Sequence, residues 1–156
     1  MPQNLPLTRG KDHPILRAKS KNISTADIAS EEIQTLIADM KKTMHHERGV
    51  GLAAPQIGEN LRLFTVATKD GDKAFLNPKI LWRSIGKEDG EEGCLSLPGW
   101  WGAVKRSKNV RMSYYDEKGK KHTIKAKGFF ARVLQHEYDH IEGGLYIDRA
   151  DEYHEE

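Results

Sequence analysis

Ile33, Leu36, Ile37, Met40 and Met44 recur at intervals of three and four residues, a pattern that predicts an amphipathic helix with one buried face. Ser24 or Ser30 can cap it, each followed by acidic residues suited to a first turn, and Gly49 marks its end. Residues 1–21 ahead of it are proline-rich, polar and basic. A transit peptide has that texture, but His13-Pro14-Ile15-Leu16 reads as chain that packs on a core, so an ordered, mostly extended arm is expected. Beyond Leu61 the period shortens. Leu63-Phe64-Thr65-Val66-Ala67 reads as a buried strand, Asp70-Gly71 as a turn and Ala74-Phe75-Leu76 as the returning strand, which Asn77-Pro78 interrupts before Ile80-Leu81-Trp82 resumes. Val110, Met112 and Tyr114 alternate with Arg111, Ser113 and Tyr115, and Asp116-Glu117-Lys118-Gly119 turns the chain into His122-Thr123-Ile124-Lys125. That is a hairpin with one wet face. A second helix opens at Gly128, covers 129–141 and stops at Gly143-Gly144, and the acidic stretch 148–156 is expected to be a solvated tail. A helix, many short strands and another helix predict an α+β fold, with short antiparallel or mixed sheets around the second helix.

Composition narrows the function classes. A length of 156 residues without repeats or low-complexity tracts fits a single domain over 1–156. The 25 basic and 23 acidic side chains nearly cancel, which argues against a dedicated nucleic-acid surface. No apolar run has the length of a membrane span and the N-terminus lacks a signal-peptide core, so a cytoplasmic protein without a membrane partner is expected. Cys94 is the single cysteine and excludes an intrachain disulfide. A lone thiol is either a small core residue or a residue with a task.

Chemistry concentrates in three segments. His136-Glu137-Tyr138-Asp139-His140 lies inside the second helix. Histidines four apart stand about 40° apart around a helix, so both imidazoles can grip one metal ion, with Glu137 beside them to take a proton from water. Phe129 and Val133 share the histidines' face, whereas Phe130, Leu134, Tyr138 and Ile141 form another stripe, so the helix is buried on more than one side. A catalytic site of this kind needs a third ligand. Acidic residues and the spare His45 and His46 are available, but Cys94, within Glu91-Glu92-Gly93-Cys94-Leu95-Ser96-Leu97-Pro98-Gly99, is the more telling candidate. Its thiolate would leave a divalent ion at net +1, which favours ionising a bound water. The third segment, Gly49-Val50-Gly51-Leu52-Ala53-Ala54-Pro55-Gln56-Ile57-Gly58, lacks the Lys-Ser/Thr ending of a P-loop. Small residues also serve where an extended substrate lies against the main chain, and Gln56 could donate its amide to an oxyanion.

Together the three segments resemble the peptide deformylases, metallohydrolases that remove the N-formyl group from nascent bacterial proteins. The motifs occur in order as Gly49-Val50-Gly51-Leu52-Ala53-Ala54-Pro55-Gln56, Glu92-Gly93-Cys94-Leu95-Ser96 and Gln135-His136-Glu137-Tyr138-Asp139-His140, and the likeness extends over roughly residues 10–150. The resemblance implies one divalent metal per chain on Cys94, His136 and His140, with a water in the fourth position. Fe(II) is the usual ion, with zinc, nickel or cobalt substituting. It implies that Glu137 takes the water's proton as hydroxide attacks the formyl carbon and then delivers it to the leaving amine, that Gln56 and the Leu95 N–H hold the oxyanion, and that backbone groups of Val50 and Gly51 pair with the substrate. The methionine pocket would involve Val50, Glu92, Leu95, Phe129, Val133 and His136. Implied partners are nascent formyl-Met peptides, with at most a transient ribosome contact, and a monomer is expected.

Two departures stand out. Trp101 occupies a place where many members carry an arginine, which affects selectivity beyond methionine, whereas Arg106 matches a family arginine and is expected to pair with a neighbouring acid. The usual basic C-terminal docking helix is not expected after Asp148. A closed structural metal site and a zinc endopeptidase are the competing readings. The first would need a fourth protein ligand, and the second rests on the H-E-x-x-H pattern alone.

Overall fold

In the computed structural model, which describes residues 1–155, the elements run α1 (Pro14–Arg17), α2 (Glu31–His46), β1 (Gly51–Ala53), β2 (Leu63–Thr68), β3 (Gly71–Arg83), β4 (Lys87–Cys94), β5 (Leu97–Ser107), β6 (Asn109–Tyr115), β7 (Lys121–Lys127), α3 (Gly128–Ile141) and β8 (Tyr153–Glu155). Short 3-10 turns at Thr25–Asp27, Ala54–Ile57 and Tyr146–Asp148 join them. Five strands form one antiparallel sheet in the order β1-β2-β3-β6-β7, and β4, β5 and β8 form a second.

Alternation along the strands builds the core on both faces of the larger sheet. Ala53, Phe64, Val66, Phe75, Val110 and Met112 point towards α3, with Phe75 edge-on to Tyr114 at 4.6 Å between ring centroids. Leu52, Leu63, Ala74 and Leu76 point the other way and pack with Ile33, Ile37, Met40 and Met44 of α2. The predicted periodicity therefore identifies the α2 face correctly. Ser30 is the cap, accepting the Ile33 N–H at 3.2 Å, whereas Ser24 precedes the short 3-10 turn and makes no such bond. Gly143, at φ +85°, ends α3, and Gly144 donates to the Asp139 carbonyl at 2.7 Å, a left-handed C-terminal cap.

The N-terminal arm is ordered. Gln3 and Leu5 donate to side chains of α2, then Thr8 donates to the Gln56 carbonyl and Gly10 to the Ser96 carbonyl. The arm thus ties two of the three chemical segments together from outside.

Two expectations are corrected, and one element had no signal in the sequence. Asn77-Pro78 bends β3 without ending it: Asn77 adopts φ +49°, its side chain exchanges two 2.7 Å hydrogen bonds with the Ile23 backbone, and pairing to β6 resumes at Lys79 after a bulge. The segment around Cys94 is a long hairpin of two strands, β4 and β5, where sequence alternation gave no signal. The acidic end is not a free tail within the described residues. Tyr153–Glu155 pairs with Trp100, Trp101 and Gly102 of β5, although its side chains remain in solvent. Glu156 lies outside the described residues.

Candidate metal centre

Cys94 ends β4, and His136 and His140 sit one turn apart on α3. Their ligand atoms lie within 4.8 Å of one another, with Cys94 Sγ 3.4 Å from His140 Nε2. Tetrahedral coordination by one sulfur and two nitrogens calls for ligand separations of about 3.3–3.6 Å, so the residues fit a single divalent ion. His45 and His46, the spare histidines, lie at the far end of α2, and His45 is engaged with Asp72 at 2.7 Å. Among the described residues, no other group of three such side chains converges in this way.

Protein charges fix the ligands from behind. Glu92 Oε1 is 2.8 Å from His136 Nδ1, which leaves Nε2 for a metal. Glu92 borders the cleft, but its carboxylate is fully engaged: Arg106 binds it at 2.9 and 3.0 Å and Arg132 at 2.6 Å. Burial alone would raise Glu92, yet the bonds from Arg106 and His136 outweigh it and hold the carboxyl far below the usual carboxylate range. Arg106 also donates to Asp139 at 2.6 Å, and Arg149 closes on the same carboxylate. The acid expected beside Arg106 is thus two acids. Burial opposes a charged His136, but hydrogen bonding to Cys94 and Glu92 prevails and raises it to about 10, so metal uptake displaces a proton. His140 is pushed well below its ordinary value by burial, and its Nδ1 has no partner.

Glu137 is 3% exposed, and burial pushes its carboxyl up to about 7. Its Oε2 stands 4.0 Å from His136 Nε2, and its Oε1 has no hydrogen-bond partner. Gln56 is held by a bond from the Ala53 N–H to its Oε1 at 3.0 Å, which turns its amide nitrogen to Ser96 Oγ at 3.2 Å and Cys94 Sγ at 3.5 Å.

A cleft of about 610 Å³ opens over these groups, bordered by Val50, Gly51, Leu95, Phe129 and Val133. Val133 is buried as the helix-face pattern predicted, whereas Phe129 is 68% exposed because it stands on the rim, where α3 begins. β1 is an edge strand. The carbonyl of Val50, just before β1, accepts from the Ala67 N–H at 2.9 Å, so the alternation of an antiparallel ladder turns the N–H and C=O of Gly51 to the free side. Trp101 lies across Gly93, and Trp100 packs against Tyr153, which makes this side of the mouth apolar.

A model of the family described as polypeptide deformylase matches residues 8–156. The chain belongs to the polypeptide deformylase family. It is 44% identical to "Peptide deformylase 1" of Clostridium perfringens over 142 residues, covering 90% of this chain and 94% of that one. The crystal structure of peptide deformylase from Thermotoga maritima superposes with a TM-score of 0.90 at 37% identity, covering 96% of this chain and 99% of that one. A Met-Ala-Ser-bound class I type b deformylase from Acinetobacter baumannii gives 0.91 at 33% identity, covering 96% and 99%. This deformylase is a metal-dependent hydrolase that removes the N-formyl group from formyl-Met peptides.

Arg132 and Ser96 escaped the sequence reading as site residues. The first had a signal, since it lies four residues before His136 on the same helical face. Ser96 had none beyond its place in the motif.

Proposed function

We propose that this deformylase acts on newly made formyl-Met chains with Glu137 as general base and then general acid, and with Fe(II) as its resident ion. Zinc, nickel or cobalt would substitute in the same donor set. When held by Cys94, His136 and His140, the ion supplies Lewis-acid polarisation of the formyl oxygen and acidifies a water. The observation that carries the reading is the Glu137 carboxylate, buried, raised to about 7 and with Oε1 unpartnered beside the ligand His136. Such a group accepts a proton and returns it to the departing amine within one turnover near neutral pH.

Donation from the Gln56 side-chain amide Nε2, together with the Leu95 N–H, neutralises the developing oxyanion. Gly51, with the neighbouring Val50, pairs with the substrate backbone as an added strand. Val50, Leu95, Phe129 and Val133, with His136 and the stem of Glu92, enclose the methionine side chain, and the Trp100–Trp101 wall meets the residues that follow. The partners are formyl-Met peptides, met by a monomer in the cytoplasm with at most transient contact to the ribosome. No helix is long and apolar enough to cross a membrane.

Anaerobic purification, metal analysis and formate release measured on one sample test the reading. Formate should appear from formyl-Met peptides, and Glu137→Ala should keep the metal while losing activity. No formate from the iron-, nickel- or cobalt-loaded wild type, or undiminished release by Glu137→Ala, would overturn it.

A further inference from the structure

The two faces of the larger sheet are not equally covered. α3 packs across β1, β2, β6 and β7 on one side, whereas α2 reaches only β1, β2, the first half of β3 and Tyr115 on the other. The rest of that outer face is open. Register places Trp82 of β3, Arg111 of β6 and Lys125 of β7 in one row across three strands, with Asn109 and Lys127 paired in the next row. Adjacent members of a row stand about 5 Å apart, and Lys127 lies about 7 Å further along β7. These side chains border a shallow depression of about 690 Å³, and Trp82 is 54% exposed.

Charge is segregated here despite the balanced total. Among the described residues, Arg111, Lys125 and Lys127 have no carboxylate within 4.0 Å, in contrast to Arg106, Arg132 and Arg149 near the metal centre. Lysines on an edge strand such as β7 guard against strand pairing. That explanation does not cover Arg111, which sits on an interior strand, nor the indole beside it. A flat row of cations ending in an exposed aromatic ring is the arrangement that tracks a phosphate backbone and stacks an unpaired base. The polar Asn109, paired with Lys127 at one end of the depression, and Thr123, one row beyond Lys125, offer hydrogen bonds to ribose hydroxyls, where a bilayer surface would call for apolar contacts.

We propose that the open sheet face formed by Trp82, Arg111, Lys125 and Lys127 binds single-stranded RNA without sequence preference. It lies apart from the catalytic cleft, and none of the four residues borders that cleft. The partner is recognised by its spaced phosphates, by its ribose hydroxyls and by one base stacked on Trp82.

Nickel-loaded protein titrated with fluorescein-labelled dodecauridylate tests this, read by anisotropy and by tryptophan quenching. Saturable binding should weaken steeply with salt. Arg111→Glu with Lys125→Glu should lose at least about tenfold in affinity and flatten the salt slope by about 1.4, the loss of two phosphate contacts. Trp82→Ala should lose about tenfold and abolish most of the quenching, although Trp100 and Trp101 remain. Lys42→Glu, on the exposed side of α2, should bind as the wild type does. Turnover of a short formyl-Met peptide should be unchanged in every variant, which reports that each is folded, and Arg111→Gln with Lys125→Gln replaces the charge reversal if that variant is not. The proposal is overturned by absence of saturable binding, by equal losses in Lys42→Glu, by equal affinity for oligodeoxythymidylate, or by binding to phosphatidylglycerol vesicles in place of RNA.

Discussion

Gly51 and Glu137 touch across the floor of the cleft: a Cβ placed on Gly51 would stand 2.6 Å from Glu137 Oε2 and 2.9 Å from its carboxyl carbon. The carboxylate therefore rests directly against the β1 backbone. Gly51→Ala should displace Glu137 and lower kcat by at least about tenfold, since misplacement on the ångström scale costs up to about 10²-fold. Metal content should be unchanged, because Gly51 touches no ligand. Equal activity of the alanine variant, measured as formate release, would place the general base elsewhere.

Glu92 is held by two arginines on one side and presents Oε1 to His136 on the other. Glu92→Gln keeps the shape but weakens this orienting bond, and metal affinity measured by competition with a chelator should fall about 10–100-fold. Arg106→Ala removes the partner of two buried carboxylates and should cost about 3–5 kcal/mol of unfolding free energy, read by denaturant titration.

Cys94 has no thiol neighbour to replace it. Cys94→Ser should lose tight metal binding and formate release together, measured by metal analysis and by a thermal shift that no longer responds to added nickel.

In the metal-free protein, Glu137 binds its proton up to about pH 7, whereas an unfolded glutamate releases it near 4.5. Between those values the folded state holds the extra proton, so this residue's contribution falls as pH rises, and it is fully present only below about 4.5. The shift corresponds to as much as about 3 kcal/mol. Glu137→Gln mimics the protonated form at every pH. Its stability relative to the wild type, both metal-free, should therefore rise from pH 4.5 to pH 7.5, and a flat difference would contradict the burial of the carboxyl.

Thr8 and Gly10 donate to the Gln56 and Ser96 carbonyls, at 2.6 and 3.0 Å, and so brace the two loops that carry Gln56 and Cys94. Removal of residues 2–8, which takes away the Thr8 bond but spares Arg9 at the rim of the cleft, should lower kcat more than it raises KM, because it loosens positioning without removing a side chain that borders the cleft. Steady-state kinetics on a formyl-Met peptide separate the two.

Periodicity made α2 and α3 legible because each buries a continuous stripe, and the spacing of His136 and His140 carried the metal reading with it. The hairpin β4–β5 was opaque for a physical reason. Gly90 and Gly93 occur where the Arg132 guanidinium and the Trp101 ring lie directly on the backbone, so the positions that would have shown alternation carry no side chain. Asn77-Pro78 misled in the opposite direction, since a bulge looks in sequence like a break. The role of Glu92 was half visible. Its place in the motif located it at the cleft, but its bonds to Arg106 and Arg132 join residues 14 and 40 positions away, which no local pattern encodes.

The free edge of β1 extends over only Gly51–Ala53. An open edge is the feature through which sheet proteins polymerise, and longer ones are usually blocked by charge, proline or a covering loop. Here brevity does the blocking. Three residues offer enough main chain to seat the first units of a peptide, yet too little for a second copy of the chain to zip on, so the surface that welcomes an extended ligand is poor ground for a fibril.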